Sequence, residues 1–225
     1  MSGEADVGRR LETPKAAGFA GLLFSALFVV SILLLRARPA PGSTAEEIAS
    51  FYLERDAGRI SLAGLYVVPF AGIAFLWFIA AVRAHMGEHE DRFFATVFLG
   101  SGILFVAMLF AAAASAGSLI AAVTFQDEPT PGSDTVIFAR ALAFAFLFVF
   151  AVRVAAVFML VVSTIGLRTG FLPRWLVFVG YVAGFVFLFT VAYVEELVLV
   201  LTAWVTAVSI VILREARRAP GTSPT

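Results

Sequence analysis

In the stretch FLFVFAVRVAAVFML, Phe146 to Leu160, fourteen apolar residues surround a single guanidinium, that of Arg153. A guanidinium hardly deprotonates, and one near the middle of a membrane span costs at least about 2.5–3.5 kcal/mol on insertion scales. Two kinds of role offset that cost. Arg153 either binds an anionic ligand or headgroup, or makes an internal ion pair or snorkelling contact that fixes helix register. In both cases it is expected to face the bundle interior, because hydrocarbon offers its five donors no acceptor. The expected acceptors, in order, are Glu195 and Glu196 at an outer hairpin, a backbone carbonyl freed near Pro69, and the Thr202–Thr206 hydroxyl stripe. Arg140, shallower in the same run, is a second partner for the two acids.

Pro69, within LYVVPFAGIAF, deletes an amide donor and frees the Leu65 carbonyl. Neighbouring helices or water repair such breaks, and in transporters they can mark binding sites. Thr202, Thr206 and Ser209 share one helical face and either line a cavity or bond to their own helix. The ligand-binding candidates are therefore Arg153, Arg140, Glu195, Glu196, Pro69, Thr202 and Thr206. A zinc-protease reading arises at HMGEH, His85 to His89, which matches H-x-x-E-H. Zinc chemistry needs both His on one helical face and a third ligand. Here Gly87 sits at the centre of a short loop, and the chain has two His in all. HMGEH reads as a solvated polar turn, so no metal, cofactor or catalytic residue is expected. With no Cys, thiolate chemistry and disulfides are excluded, and no basic surface suits nucleic acid.

These groups are carried by elements that composition defines. The 225 residues are 61% hydrophobic and 14% charged, against about 45–50% and about 25% in soluble domains. Apolar runs of roughly 20 residues cross a ~30 Å hydrocarbon core. Six are present, at 16–35, 60–82, 93–125, 136–167, 175–194 and 197–213. One uninterrupted helix over the last two would be about 58 Å long, so a hairpin at Glu195–Glu196 is expected. With the N-terminus cytoplasmic, inner segments carry ten Lys and Arg against four in outer ones, which puts both termini inside. Residues 1–15 and 219–225 read as disordered tails around a six-helix domain at 16–218. After the first span, Ser43 or Thr44 offers an N-cap with a Glu three residues on. A short amphipathic helix is expected over 45–56, stopped by Gly58. The third and fourth runs exceed 30 residues. They either kink or raise the QDEPTPGSD hairpin clear of the surface, with the 45–56 helix covering it.

The expected fold is thus all-α: a six-span transmembrane bundle with both termini in and an amphipathic helix in the first outer loop. Small residues at Gly180 and Gly184, and at Ala17, Gly21 and Ser25, allow close helix approach. They suit internal packing, a homo-oligomer or a membrane partner. The Arg bias, with Lys15 as the sole Lys, suits a bacterial, GC-rich source and a cell (inner or plasma) membrane.

At LRTGFLPRWLVFVGYVAG, Leu167 to Gly184, one span leaves the membrane as R-x-G-x-L-P-R-W-L and the next begins G-x-x-x-G. The stretch resembles uncharacterised six-span integral membrane families common in actinobacteria, and FLWFIAAVRAHMGEHEDRFFATVFLGSG (Phe75–Gly102) is similar to them as well. The resemblance implies a multi-span fold and names no activity. Three functions remain open on sequence: binding or transport of a small amphipathic or anionic molecule through an outward-facing cavity, an accessory subunit of a membrane assembly, and an intramembrane enzyme.

Overall fold

A backbone in lipid must satisfy its own hydrogen bonds, and the apolar runs do so as helices. The computed structural model describes residues 4–35, 43–44, 46–47, 50–51, 55–86, 92–125, 132–190 and 195–218. Six helices account for nearly all of them: α1 (Glu4–Leu35), α2 (Arg55–Met86), α3 (Arg92–Phe125), α4 (Ser133–Thr169), α5 (Arg174–Phe189) and α6 (Glu195–Arg218). Within α4 a π segment, Ala145–Ala151, separates α-helical Ser133–Phe144 from Val152–Thr169.

The helices run alternately up and down in a closed ring: α1 packs on α2, α2 on α3, α3 on α4, α4 on α5, and α6 closes against α1 and α5. Both terminal helix ends lie at one end of the bundle, the tail end. The end of α3 and the start of α4 lie at the other, the hairpin end.

The centre is aromatic. Phe75 of α2 lies 4.6 Å from Phe24 of α1, 5.1 Å from Phe105 of α3 and 5.2 Å from Phe158 of α4, centroid to centroid. All four rings are buried, and such tilted pairs contribute about 0.5–1.5 kcal/mol each beyond area burial. The outside is apolar too: Phe19, Trp77, Ile103, Phe150, Phe185 and Leu199, one from each helix, are exposed. Helices apolar all round belong in lipid. Three are long and apolar enough to cross a membrane, over Arg92–Val123, Ser133–Thr169 and Leu199–Arg217, and three shorter apolar helices accompany them. The chain is a multi-pass membrane protein of all-α fold.

Several boundaries differ from those expected. α1 begins at Glu4, well before the apolar run at 16, because hydropathy marks where lipid contact starts and not where helical backbone starts. Gly58 does not stop a helix; α2 starts at Arg55 and runs through it. A helical Gly costs only about 1 kcal/mol relative to Ala, and the long ladder that follows carries it. The N-cap before that segment is Thr44: its Oγ1 accepts from the Glu47 amide at 3.2 Å while Glu47 Oε2 accepts from the Thr44 amide at 2.9 Å. Residues 45, 48–49 and 52–54 of the 45–56 helix expected to cover the hairpin lie outside the described residues.

The last two helices are separate, but the break precedes the acids. α5 ends at Phe189, Thr190 is extended (φ −83°, ψ 123°), and Glu195 and Glu196 open α6. Carboxylates in a first turn face the positive end of the helix dipole, so the two acids start a helix instead of forming the turn.

The overlong pair resolves in two ways. α4 carries the π segment, and the hairpin end has a small core of its own, Leu119 of α3 with Val136 and Ala139 of α4. There α2 covers α3: a methyl added at Gly117 would overlap Leu65.

Candidate functional site

Arg153 stands in the first turn after the π segment. The inner face of α4 at this level is Phe148, Ala151, Val152, Ala155 and Ala156, all buried. Arg153 is on the flank and half-buried, one turn from exposed Phe150. Its Nη1 donates to the Val149 carbonyl of its own helix at 2.6 Å. In the π segment the ladder slips by one residue, with the Val152 amide bonding the Leu147 carbonyl five residues back. The guanidinium bonds the main chain of its own helix within that segment. Among the described residues its acceptor is therefore main chain.

Register across α4 and α5 fixes the height of Arg153. Thr164 Oγ1 and the Tyr181 hydroxyl are 2.9 Å apart, and Leu160 lies against Gly184. Continuing that antiparallel register places Arg153 level with the end of α5. The glutamates that open α6 lie close in sequence to that level, but their side chains are outside the described residues. Arg140 is half-buried about 20 Å up the helix at 1.5 Å per residue, so the two arginines do not share a site.

The other candidates do not gather around Arg153. Pro69 is exposed on α2 between exposed Tyr66, Phe70 and Ile73. It lies on the outward face, because that face tolerates a missing amide without a packed neighbour. The hydroxyls of α6 are consumed locally. Thr206 Oγ1 donates to the Thr202 carbonyl and Ser209 Oγ to the Val205 carbonyl, each at 2.8 Å, and Ser25 of α1 reaches the Thr202 carbonyl at 3.4 Å. This stripe bonds its own helix and seals α6 to α1. His89 and the side chain of His85 lie outside the described residues.

Beside the π segment is a void of about 10 Å³, lined by Phe28, Phe105, Leu147, Ala151, Val152, Ala155, Phe187 and Leu201. It has the size of one water and no polar wall, so it stays dry, and it does not reach Arg153.

The small-residue rows are spent inside the chain. Added methyls at Gly21 would meet Ser209 and Phe78, at Gly180 Ser163 and Trp204, and at Gly184 Leu160 and the Ala156 carbonyl. Gly21, Ser25, Gly180 and Gly184 are accordingly buried and are not an exposed interface for another chain. Sequence reasoning missed Ser163. Among the described residues its Oγ is buried without a hydrogen-bond partner; it borders Gly180, as does the Trp204 indole, whose Nε1 donates to the Leu176 carbonyl at 3.3 Å. The signal available was a Ser one helix before a G-x-x-x-G.

Arginines mark the tail end. Arg83, Arg92, Arg168, Arg174, Arg214 and Arg217 are exposed there, and the Arg168 guanidinium lies 4.5 Å from the Phe94 ring centre. No family model, curated protein or solved structure matches the chain.

Proposed function

We propose that this multi-pass protein crosses the cell membrane six times with both termini cytoplasmic, and that it binds an anionic amphiphile at Arg153 from the flank of the bundle. The observation that carries the reading is Arg153 itself. A half-buried guanidinium amid apolar side chains uses one donor on Val149, and a guanidinium has five. The binding surface is the outer side of α4 near the end of α5, apart from the apolar void lined by Phe28 and Phe105, which does not reach Arg153. Exposed Phe150 offers apolar contact beside the charge. The likeness of Leu167–Gly184 to a six-span family pattern fits this architecture.

The test is purification in mild detergent followed by mass spectrometry of co-purifying molecules. Arg153→Met is expected to retain its helical signal while losing an anionic amphiphile at least about tenfold, and Arg153→Lys to keep part of it. Equal recovery from wild type and Arg153→Met rejects the reading.

A second reading, an accessory subunit of a membrane assembly, is favoured by the filled aromatic core around Phe75. Its partner would have to meet lipid-facing side chains, because the small-residue rows are already buried.

A further inference from the structure

The tail end of α4 carries a corner built from three helix ends. Arg168 lies in the last turn of α4, the chain turns at Gly170 with φ 75°, and α5 begins at Arg174. A left-handed residue at that position favours Gly. The turn is pinned on both sides. Leu172 is buried against Gly166, and the Leu176 and Val177 amides both donate to the Pro173 carbonyl, at 2.9 and 3.2 Å. Stacking of Arg168 on Phe94 at 4.5 Å ties the corner to the first turn of α3, where Arg92 is exposed. Arg92, Arg168 and Arg174 are thereby brought to one corner on rigid elements. Next to them Phe93 and Trp175 are 66% and 60% exposed, at the level where helices enter lipid.

We propose that this corner holds the phosphate headgroup of an anionic phospholipid in the leaflet at the tail end. The guanidinium fork matches phosphate oxygens bidentately, and a ring beneath Arg168 holds its plane in place. Trp175 sits where indoles settle at headgroup depth. Exposed Phe178 and Val182, further along α5, continue the surface for an acyl chain. Charge complementarity selects an anionic over a zwitterionic lipid. The chain is neutral overall, yet the described ends of α3, α4 and α5 that form this corner carry three exposed arginines and no acid. Basic sites between helices at a membrane surface take such headgroups. The corner is about 22 Å along α4 from Arg153 and does not depend on the role proposed for it.

The experiment is native mass spectrometry and thermal unfolding of the full chain in nanodiscs of phosphatidylcholine with and without phosphatidylglycerol. Wild type is expected to retain phosphatidylglycerol preferentially and to melt higher with it. The Arg92→Gln, Arg168→Gln, Arg174→Gln triple variant is expected to lose that preference at least about tenfold with its helical signal intact. Arg214→Gln with Arg217→Gln, on α6, keeps it. Should the triple variant misfold, Arg174→Gln against Arg174→Lys reads the same point: Gln lowers retention and Lys restores part of it. No lipid preference in wild type, undiminished retention in these corner variants, or equal loss in the α6 pair overturns the proposal. So does displacement of the lipid by inorganic phosphate, which would make the corner a free-anion site.

Discussion

The turns of α4 around Arg153 and around Ser163 lie ten residues apart on one helix and treat polar groups in opposite ways. Around Ser163, packing dominates. Gly180 and Gly184 bring α5 so close that no space remains for a methyl, and a hydroxyl is left buried without a partner among the described residues. Around Arg153, hydrogen bonding dominates. The guanidinium finds the Val149 carbonyl, and the helix gives way to a π segment beside a small void. The contrast follows from what each group loses when unpaired. A stranded hydroxyl costs about 1–3 kcal/mol, which close backbone contact can offset, whereas a stranded guanidinium in hydrocarbon costs more than packing returns.

The sharpest way to break the comparison is to spoil the tight half. Gly180→Leu forces a branched side chain into Ser163 and Trp204, and overpacking of that kind is expected to cost about 3 kcal/mol or more. Thermal unfolding in detergent reads it; a change under about 1 kcal/mol would mean that α5 is loosely held. Ser163→Ala is the complement. It removes the unpartnered hydroxyl without changing the approach of α5, and is expected to stabilise by up to about 1 kcal/mol. Destabilisation would show that Ser163 has a bonding partner in the membrane. On the loose half, Arg153→Met is expected to shift stability by less than about 1 kcal/mol in either direction. A loss above about 2 kcal/mol would make Arg153 a structural keystone, not a binding group.

Much of the architecture was legible in the residues. Runs such as 93–125 and 136–167 mark α3 and α4 because length and hydropathy alone select helices in lipid, and the Thr44–Glu47 capping box is local chemistry. Close approach at Gly180 and Gly184 was legible too, but not the identity of the facing residue, which depends on register across two helices. The π segment was not legible: Ala145–Ala151 contains no Gly or Pro, and its cause lies in how the hairpin-end and tail-end halves of α4 must each meet their neighbours. The acceptor of Arg153 escaped for a related reason. Side-chain partners such as Glu195 can be proposed from sequence, whereas the Val149 carbonyl of its own helix is found only from the conformation the guanidinium adopts. The hydroxyls of α6 carry the same lesson, since Thr206 and Ser209 spend their donors on main-chain carbonyls.

In the proposed arrangement the helices cross the bilayer in alternation, with Ser133 at the start of α4 on one side and both chain ends on the other. The absence of Cys makes the direct measurement clean: single cysteines at Ser133 and Ser223 are labelled with an impermeant thiol reagent in intact cells and again after permeabilisation. Ser133→Cys is expected to label in intact cells, and Ser223→Cys only after permeabilisation. Labelling of Ser223→Cys in intact cells, or protection of both until the membrane is opened, would contradict the six-span arrangement.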